Sequence, residues 1–231
     1  MRAIIYQDKT LSNSVRQSGV AGEGYWLNSV LLSLCFLLVF VKLAGEVLSN
    51  ELLAFDRVVT GYINLLNGPL MTKTMQGITV MGSAVTLILL ALMIICYFGK
   101  FLNHHFAINM IIAALAGSWL ANEFLKWVFQ RSRPPELMRL IDASGYSFPS
   151  GHAMVSFTFY GLLIYLLWFN LGSGKLRYFW AVFLSVLVLA IGMSRIYLGV
   201  HYPSDVVAGF AAGGVWLAGC ILGFPYPDQH I

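Results

Sequence analysis

"LRYFWAVFLSVLVLAIGM" (Leu176–Met193) runs straight into "SRIYLGVHYPSD" (Ser194–Asp205). The first stretch has a single charge, Arg177, near its start. A helix needs about 20 apolar residues, within a range of ~17–25, to cross a hydrocarbon core, so this stretch reads as a membrane span. The stretch behind it holds an arginine, a histidine and an aspartate before apolar sequence resumes. Ionisable groups inside a bilayer are costly and mark function by default, so a cluster of them at the end of a span asks for a reason.

Working outward, six segments meet the same length rule: Tyr25–Leu43, Gln76–Phe98, Phe106–Phe129, His152–Leu171, Leu176–Met193 and Pro203–Phe224. Composition agrees. Of 231 residues 58% are hydrophobic and 10% charged, against roughly 25% charged in soluble domains. The predicted fold is all-α, a six-transmembrane-helix bundle forming one domain over 25–231 behind a polar tail, 1–24. Leu27–Val41 has the length of a signal-peptide core. The segment before it is long, however, and "KLAGEVLSN" offers no small-x-small cleavage site, so an uncleaved first span is expected. Between the first two spans, Leu52, Leu53, Phe55, Val58, Val59, Tyr62, Ile63 and Leu66 recur at helical spacing within 46–75. That segment is too broken by charge to cross. It reads as an amphipathic surface helix that ends near Asn67-Gly68-Pro69 and packs rather than catalyses.

The net charge of +4 is modest, and no basic stripe with interleaved aromatics suggests nucleic acid. Cys35, Cys96 and Cys220 each lie in an apolar run without metal-ligand or disulfide spacing, and are expected as small buried hydrophobes. Lysine and arginine favour the cytoplasmic flanks of spans. With the N-terminus inside, six fall inside (Arg2, Lys9, Arg16, Lys100, Lys175, Arg177). Eight fall outside (Lys42, Arg57, Lys73, Lys126, Arg131, Arg133, Arg139, Arg195). The raw count opposes that orientation unless several outer cations are kept for function.

Consecutive spans alternate direction. The end of the third, the start of the fourth, the end of the fifth and the start of the sixth therefore share one face. Lys126, Arg131 and Arg133 close the third; "FPSGH" (Phe148–His152) opens the fourth; Ser194 and Arg195 close the fifth; His201 and Asp205 open the sixth. A lone cation at a helix end simply snorkels to the headgroups. Two histidines, an aspartate and several cations in one layer ask for more. Arginine forks match phosphate oxygens, and lysine adds a point charge. Lys126 and Arg133 would face the same way on a continuous helix, but Pro134-Pro135 mark a helix ending there. Gly151 permits close backbone approach, Ser150 suits a helix cap, and the free N–H groups of that helix start suit an anion. Asp205 lies one turn beyond His201, where a carboxylate fixes the imidazole tautomer. Lys126, Arg133 and Arg195 against Asp205 leave about +2, suited to a phosphate dianion or a pyrophosphate end. No carboxylate cluster is available for Mg²⁺, so protein cations stand in for a metal, and no cofactor is expected.

"KWVFQRSRP" fits Lys-x6-Arg-Pro, "PSGH" follows at Pro149–His152, and "SRIYLGVHYPSD" fits Ser-Arg-x5-His-x3-Asp. With these three blocks in order, the chain resembles the type 2 phosphatidic acid phosphatase family of integral-membrane lipid phosphatases, whose fold is a six-helix bundle. The resemblance implies that His201 takes the phosphoryl group, Asp205 orients it, and His152 protonates the leaving oxygen and then activates water. It implies that Lys126, Arg133, Arg195, Ser150 and the Gly151 N–H hold the phosphate. It implies a site facing outward with both termini cytoplasmic, and a bilayer-borne lipid substrate. Undecaprenyl pyrophosphate, phosphatidylglycerol phosphate and phosphatidic acid are the candidates, the isoprenoid pyrophosphate first. Arg139 and Tyr146 are secondary candidates for headgroup contact. Two histidines with separated pKa values should give a bell-shaped pH–rate profile. The rival class is a membrane transporter of a phosphate-bearing solute, which also wants cations in a bundle but has no use for a His-Asp pair beside a second histidine. The sequence carries no signal for an oligomeric state.

Overall fold

The computed structural model describes residues 27–102, 105–171 and 174–224. The polar tail 1–24 and the start of the first expected span lie outside the described residues. Among the described residues eight α-helices run in chain order: α1 Leu27–Leu48, α2 Leu53–Asn64, α3 Pro69–Val80, α4 Ala84–Tyr97, α5 His105–Phe129, α6 Gly151–Asn170, α7 Lys175–Tyr197 and α8 Pro203–Gly223. No strand occurs among the described residues. Five helices are individually long and apolar enough to cross a membrane, and α3 with α4 makes a sixth, bent span.

Two expectations change here. The first span continues to Leu48, past the expected Leu43. The surface helix α2 ends just before Asn67-Gly68-Pro69, as expected, and Pro69 starts α3 at a position where its missing N–H costs nothing. The expected second span is two helices meeting at 45°. Its break at Met81–Ser83 is held on both sides. The Tyr160 hydroxyl donates to the Met81 carbonyl (2.7 Å), and Ser83 caps α4 by accepting from the Thr86 N–H (3.3 Å).

The bundle is built around α6 and α8. Small residues on α8 let the backbones meet: a Cβ at Gly209 would stand 2.7 Å from the Ser150 carbonyl oxygen, and one at Gly213 2.6 Å from that of Met154. Deeper in the membrane, Leu87, Met110, Ile111, Phe159, Leu162 and Ile191 pack from α4, α5, α6 and α7. Towards one face a second cluster joins Ile63 of α2 to Ile196, Leu198, Val200 and Val206. Phe148 and Ala208 fasten α1 there through Ala44 and Val47. This face gathers both ends of α2, the start of α3, the loop 130–150 and the α7–α8 turn. Cys220 is buried as expected, but Cys35 and Cys96 are exposed. In a membrane bundle an apolar run also covers the surface that meets lipid, so apolar surroundings in sequence do not imply burial.

Candidate active site

Helix α5 ends at Phe129, and Gln130 turns the chain with a positive φ of 45°. Arg133 is therefore in a loop, and the shared helical face with Lys126 does not form. The loop carries Arg133 to the same place by another route. Its Nη1 donates to the Val200 carbonyl (2.8 Å) and lies 3.1 Å from His201 Nε2. Its Nε and Nη2 donate to the carbonyls of Gly145 (3.1 Å) and Ser144 (3.0 Å). Burial draws its pKa below the ordinary value.

An arginine can only donate. His201 Nε2 therefore accepts from Arg133 and carries its lone pair there, which leaves the ring proton on Nδ1. Nδ1 faces the Ser147 hydroxyl (3.3 Å) and Asp205 Oδ2 (3.6 Å). Burial outweighs the carboxylate and pushes the His201 pKa down to about 4. The imidazole is neutral at ordinary pH, with its free nitrogen towards the cations.

Asp205 is fully buried at the third position of α8. Its Oδ2 accepts from the Tyr202 N–H (2.9 Å) and the Ser147 hydroxyl (2.5 Å), and its Oδ1 pairs with Arg131 Nη1 (2.5 Å). The direct contact with His201 is thus longer than a hydrogen bond, and Ser147 fills the corner between them.

Helix α6 opens with Gly151 and His152. A Cβ at 151 would sit 2.9 Å from Asn122 Oδ1, so the glycine makes room for that side chain, and the Lys126 ammonium lies beside it, 3.7 Å from the same point. Lys126 also pairs with Glu123 (3.1 Å). Ser150 makes no side-chain cap, against expectation. Its N–H donates to the Asp205 carbonyl (3.0 Å), and its Oγ is buried without a hydrogen-bond partner. Arg195 gives Nη1 to Thr79 (2.7 Å), while its Nε is buried and unpartnered. The charges of Arg195, Lys126 and Arg133 all bear on His152. All eight sequence-predicted site residues (Lys126, Arg133, Ser150, Gly151, His152, Arg195, His201 and Asp205) therefore lie at one end of the bundle.

Arg139 and Tyr146 stand differently. Arg139 staples its own loop, donating to the carbonyls of Pro134 (2.7 Å) and Ala143 (3.3 Å), and Tyr146 is exposed.

Sequence reasoning missed five contributors: Asp56, Thr79, Asn122, Ser147 and the pairing of Arg131. Asp56 had a usable signal. It falls on the same helical face as Val59 and Ile63, and it is buried. Counting Arg131, Asp56 and Glu123 lowers the local charge from about +2 to about +1. Among the described residues no three His, Cys, Asp or Glu side chains gather as a metal site.

A family model described as the PAP2 superfamily matches residues 106–228. The chain is 31% identical to phosphatidylglycerophosphatase B of Bacillus subtilis, over 76% of this chain and 86% of that one. It is 29% identical to an undecaprenyl-diphosphatase of Sulfolobus acidocaldarius, over 84% of this chain and 87% of that one. The crystal structure of a transmembrane PAP2-type phosphatidylglycerolphosphate phosphatase from Bacillus subtilis superposes with a TM-score of 0.73 at 28% identity, covering 81% of this chain and 93% of that one. Sequence blocks, helical architecture and these likenesses agree: the chain belongs to the PAP2 superfamily of membrane phosphatases.

Proposed function

We propose that the protein hydrolyses a phosphate monoester or pyrophosphate on a membrane lipid through a phosphohistidine at His201, without a metal ion. The observation that carries this is the fixed tautomer of His201, whose bare Nε2 faces Arg133.

These contacts support the following reaction. The Nε2 lone pair attacks phosphorus, and the bond from phosphorus to the leaving oxygen breaks. Arg133 transfers its hydrogen bond from Nε2 to a phosphate oxygen. Lys126, Arg195, Ser150 and the Gly151 N–H take the others, stabilising charge on the transferring group. Two of these groups, Ser150 Oγ and Arg195 Nε, are buried with their hydrogen-bonding capacity unspent. With the substrate's negative charge offsetting the cations around it, His152 carries a second ring proton and gives it to the leaving oxygen. It then takes one from water, whose oxygen attacks phosphorus as the P–N bond breaks, releasing phosphate and restoring His201. Asp205 and Ser147 hold the Nδ1 side throughout.

A lipid substrate fits the surroundings. An apolar groove of about 410 Å³ runs between α4 and α5, lined by Ala84, Leu87, Ile111, Leu115, Trp119 and Val155. Val155 is one turn along α6 from His152, so a substrate chain in the groove leaves its headgroup at the site. The two relatives are named for different lipids, and the residues described here read phosphate rather than the rest of the headgroup. We rank an isoprenoid pyrophosphate first, since several cations in one place favour the more highly charged end.

The test is phosphate release by detergent-purified protein with EDTA present. Undecaprenyl pyrophosphate, phosphatidylglycerol phosphate and phosphatidic acid are offered in parallel, with His201→Ala as control. EDTA-resistant release that disappears in the variant is expected. Release that EDTA abolishes, or that survives in the variant, overturns the mechanism; faster turnover of a monophosphate overturns the ranking.

A further inference from the structure

Arg131 touches none of the groups assigned to phosphate. Its two arms span two buried carboxylates, Asp205 at 2.5 Å from Nη1 and Asp56 at 2.7 Å from Nη2. Its plane lies over the Tyr202 ring, 4.3 Å from the centroid. Asp56 comes from α2, far from the motif blocks, and is only 1% exposed. Every oxygen of its carboxylate is committed. Oδ2 accepts from the Ser204 hydroxyl (2.7 Å) as well as from Arg131, and Oδ1 accepts from the Ser204 N–H (2.9 Å). Ser204 also accepts from Arg131 Nη1 (2.8 Å). Asp56 thus grips the free N-terminal end of α8 and one arm of Arg131 together. The other arm fixes Asp205, which, with Ser147, faces the Nδ1 side of His201.

A surface helix held only by packing would not bury a carboxylate. Burying one is tolerated where it is paired and fully hydrogen-bonded. This one is, and its partners lead in two steps to the nucleophile. Charge explains why Asp56 is needed. A lone Arg131 would lean wholly on Asp205 and weaken its hold on the Nδ1 side. With Asp56 on the second arm, the guanidinium is shared, and the two carboxylates hold its pKa above the ordinary value despite burial.

We propose that Asp56 is a positioning residue of the active site, acting through Arg131 on Asp205 and so on the orientation of His201. The proposal rests on the phosphatase reading above. It also gives α2 a task beyond lying at the surface: the outer side of this helix shows Phe55, Val58 and Tyr62, while its inner side sets the alignment of the nucleophile.

The experiment compares wild type, Asp56→Asn, Arg131→Gln and the double variant by steady-state phosphate release. Asparagine keeps an acceptor for Ser204 but removes the charge that holds Arg131. In D56N, kcat is expected to fall about tenfold or more, as for other residues that orient a reacting group, with KM within about twofold because no phosphate contact is lost. In the R131Q background the same change is expected to have no further effect on kcat, since the path is already cut. Wild-type kcat in D56N, a loss confined to KM, or full additivity in the double variant overturns the proposal. If D56N does not purify folded, Arg131→Lys decides. It keeps the charge but cannot span both carboxylates, and wild-type kcat in it overturns the proposal equally. Wild type that releases no phosphate from any lipid defeats the phosphatase reading instead, and is told apart because no variant is then needed to see it.

Discussion

At His201 the local environment sets when the site can work. Burial holds the imidazole neutral down to a pKa of about 4. Protonation below that pH removes the Nε2 lone pair, so activity is lost as pH falls and recovered as it rises. In kcat/KM for the pure enzyme, the acid limb contributed by His201 is expected near pH 4. The sequence predicts a bell from two histidines with separated pKa values, and the burial of His201 assigns it the acid limb. An acid limb near pH 6.5 would show that another group controls the rate. The motif residues themselves were legible because their spacing is local: Ser-Arg-x5-His-x3-Asp places Arg195, His201 and Asp205 within eleven positions. Their supports were not. Arg131 meets Asp56 across 75 positions, and Arg195 meets Thr79 across 116. No pattern within one helix encodes those partners, and a single acid or threonine in an amphipathic stretch looks like ordinary surface until packing turns it inward.

Among the elements, α6 carries His152 and α8 carries Asp205 just behind the turn that holds His201, and glycines set the distance between the two helices. A methyl group at Gly209 would stand 2.7 Å from the Ser150 carbonyl oxygen and 2.9 Å from the Ala153 Cβ. Neither neighbour can swing aside, because one is backbone and the other is fixed to it. Gly209→Ala is therefore expected to destabilise the fold by about 1–3 kcal/mol, as overpacked cores do, and to disturb Ser150 and His152 directly. Thermal unfolding in detergent checks the first effect, and phosphate release below the midpoint checks the second. An unchanged midpoint would mean that the helices separate at little cost. Element existence was readable from hydropathy, since a run of apolar residues long enough to cross a bilayer admits few other structures. The kink between α3 and α4 was not. The break at Met81-Gly82-Ser83 combines a Gly-Ser pair and the Ser83 cap with a contact from another helix, the Tyr160 hydroxyl, and hydropathy alone shows none of the three.

For the molecule as a whole, the alternation of spans puts the loop 130–150 and the α7–α8 turn on one face, opposite the starts of α1, α5 and α7. We propose that the site face is the outer one. The excess of cations there then has a physical reason, since Arg131, Arg133, Arg139, Arg195 and Lys126 are held by site and loop contacts. Single cysteines placed at Asp142 and at Lys175, in a chain whose own three are replaced, test this. A membrane-impermeant maleimide is expected to label the first in intact cells and the second only after lysis. The reverse pattern would turn the protein over in the membrane.

One feature of α8 bears on how such a protein is made. It buries twelve of its 21 residues, among them Asp205, and it lies against α5 and α6, yet seven helices precede it in the chain. During synthesis those seven leave the ribosome while the middle of the bundle still lacks its filling. One arm of the Arg131 guanidinium already has Asp56, while the other arm and the Ser147 hydroxyl wait for a carboxylate not yet translated. The site is therefore complete only once α8 has joined α5 and α6. A nascent chain stalled before Pro203 would be inserted in the bilayer and catalytically silent.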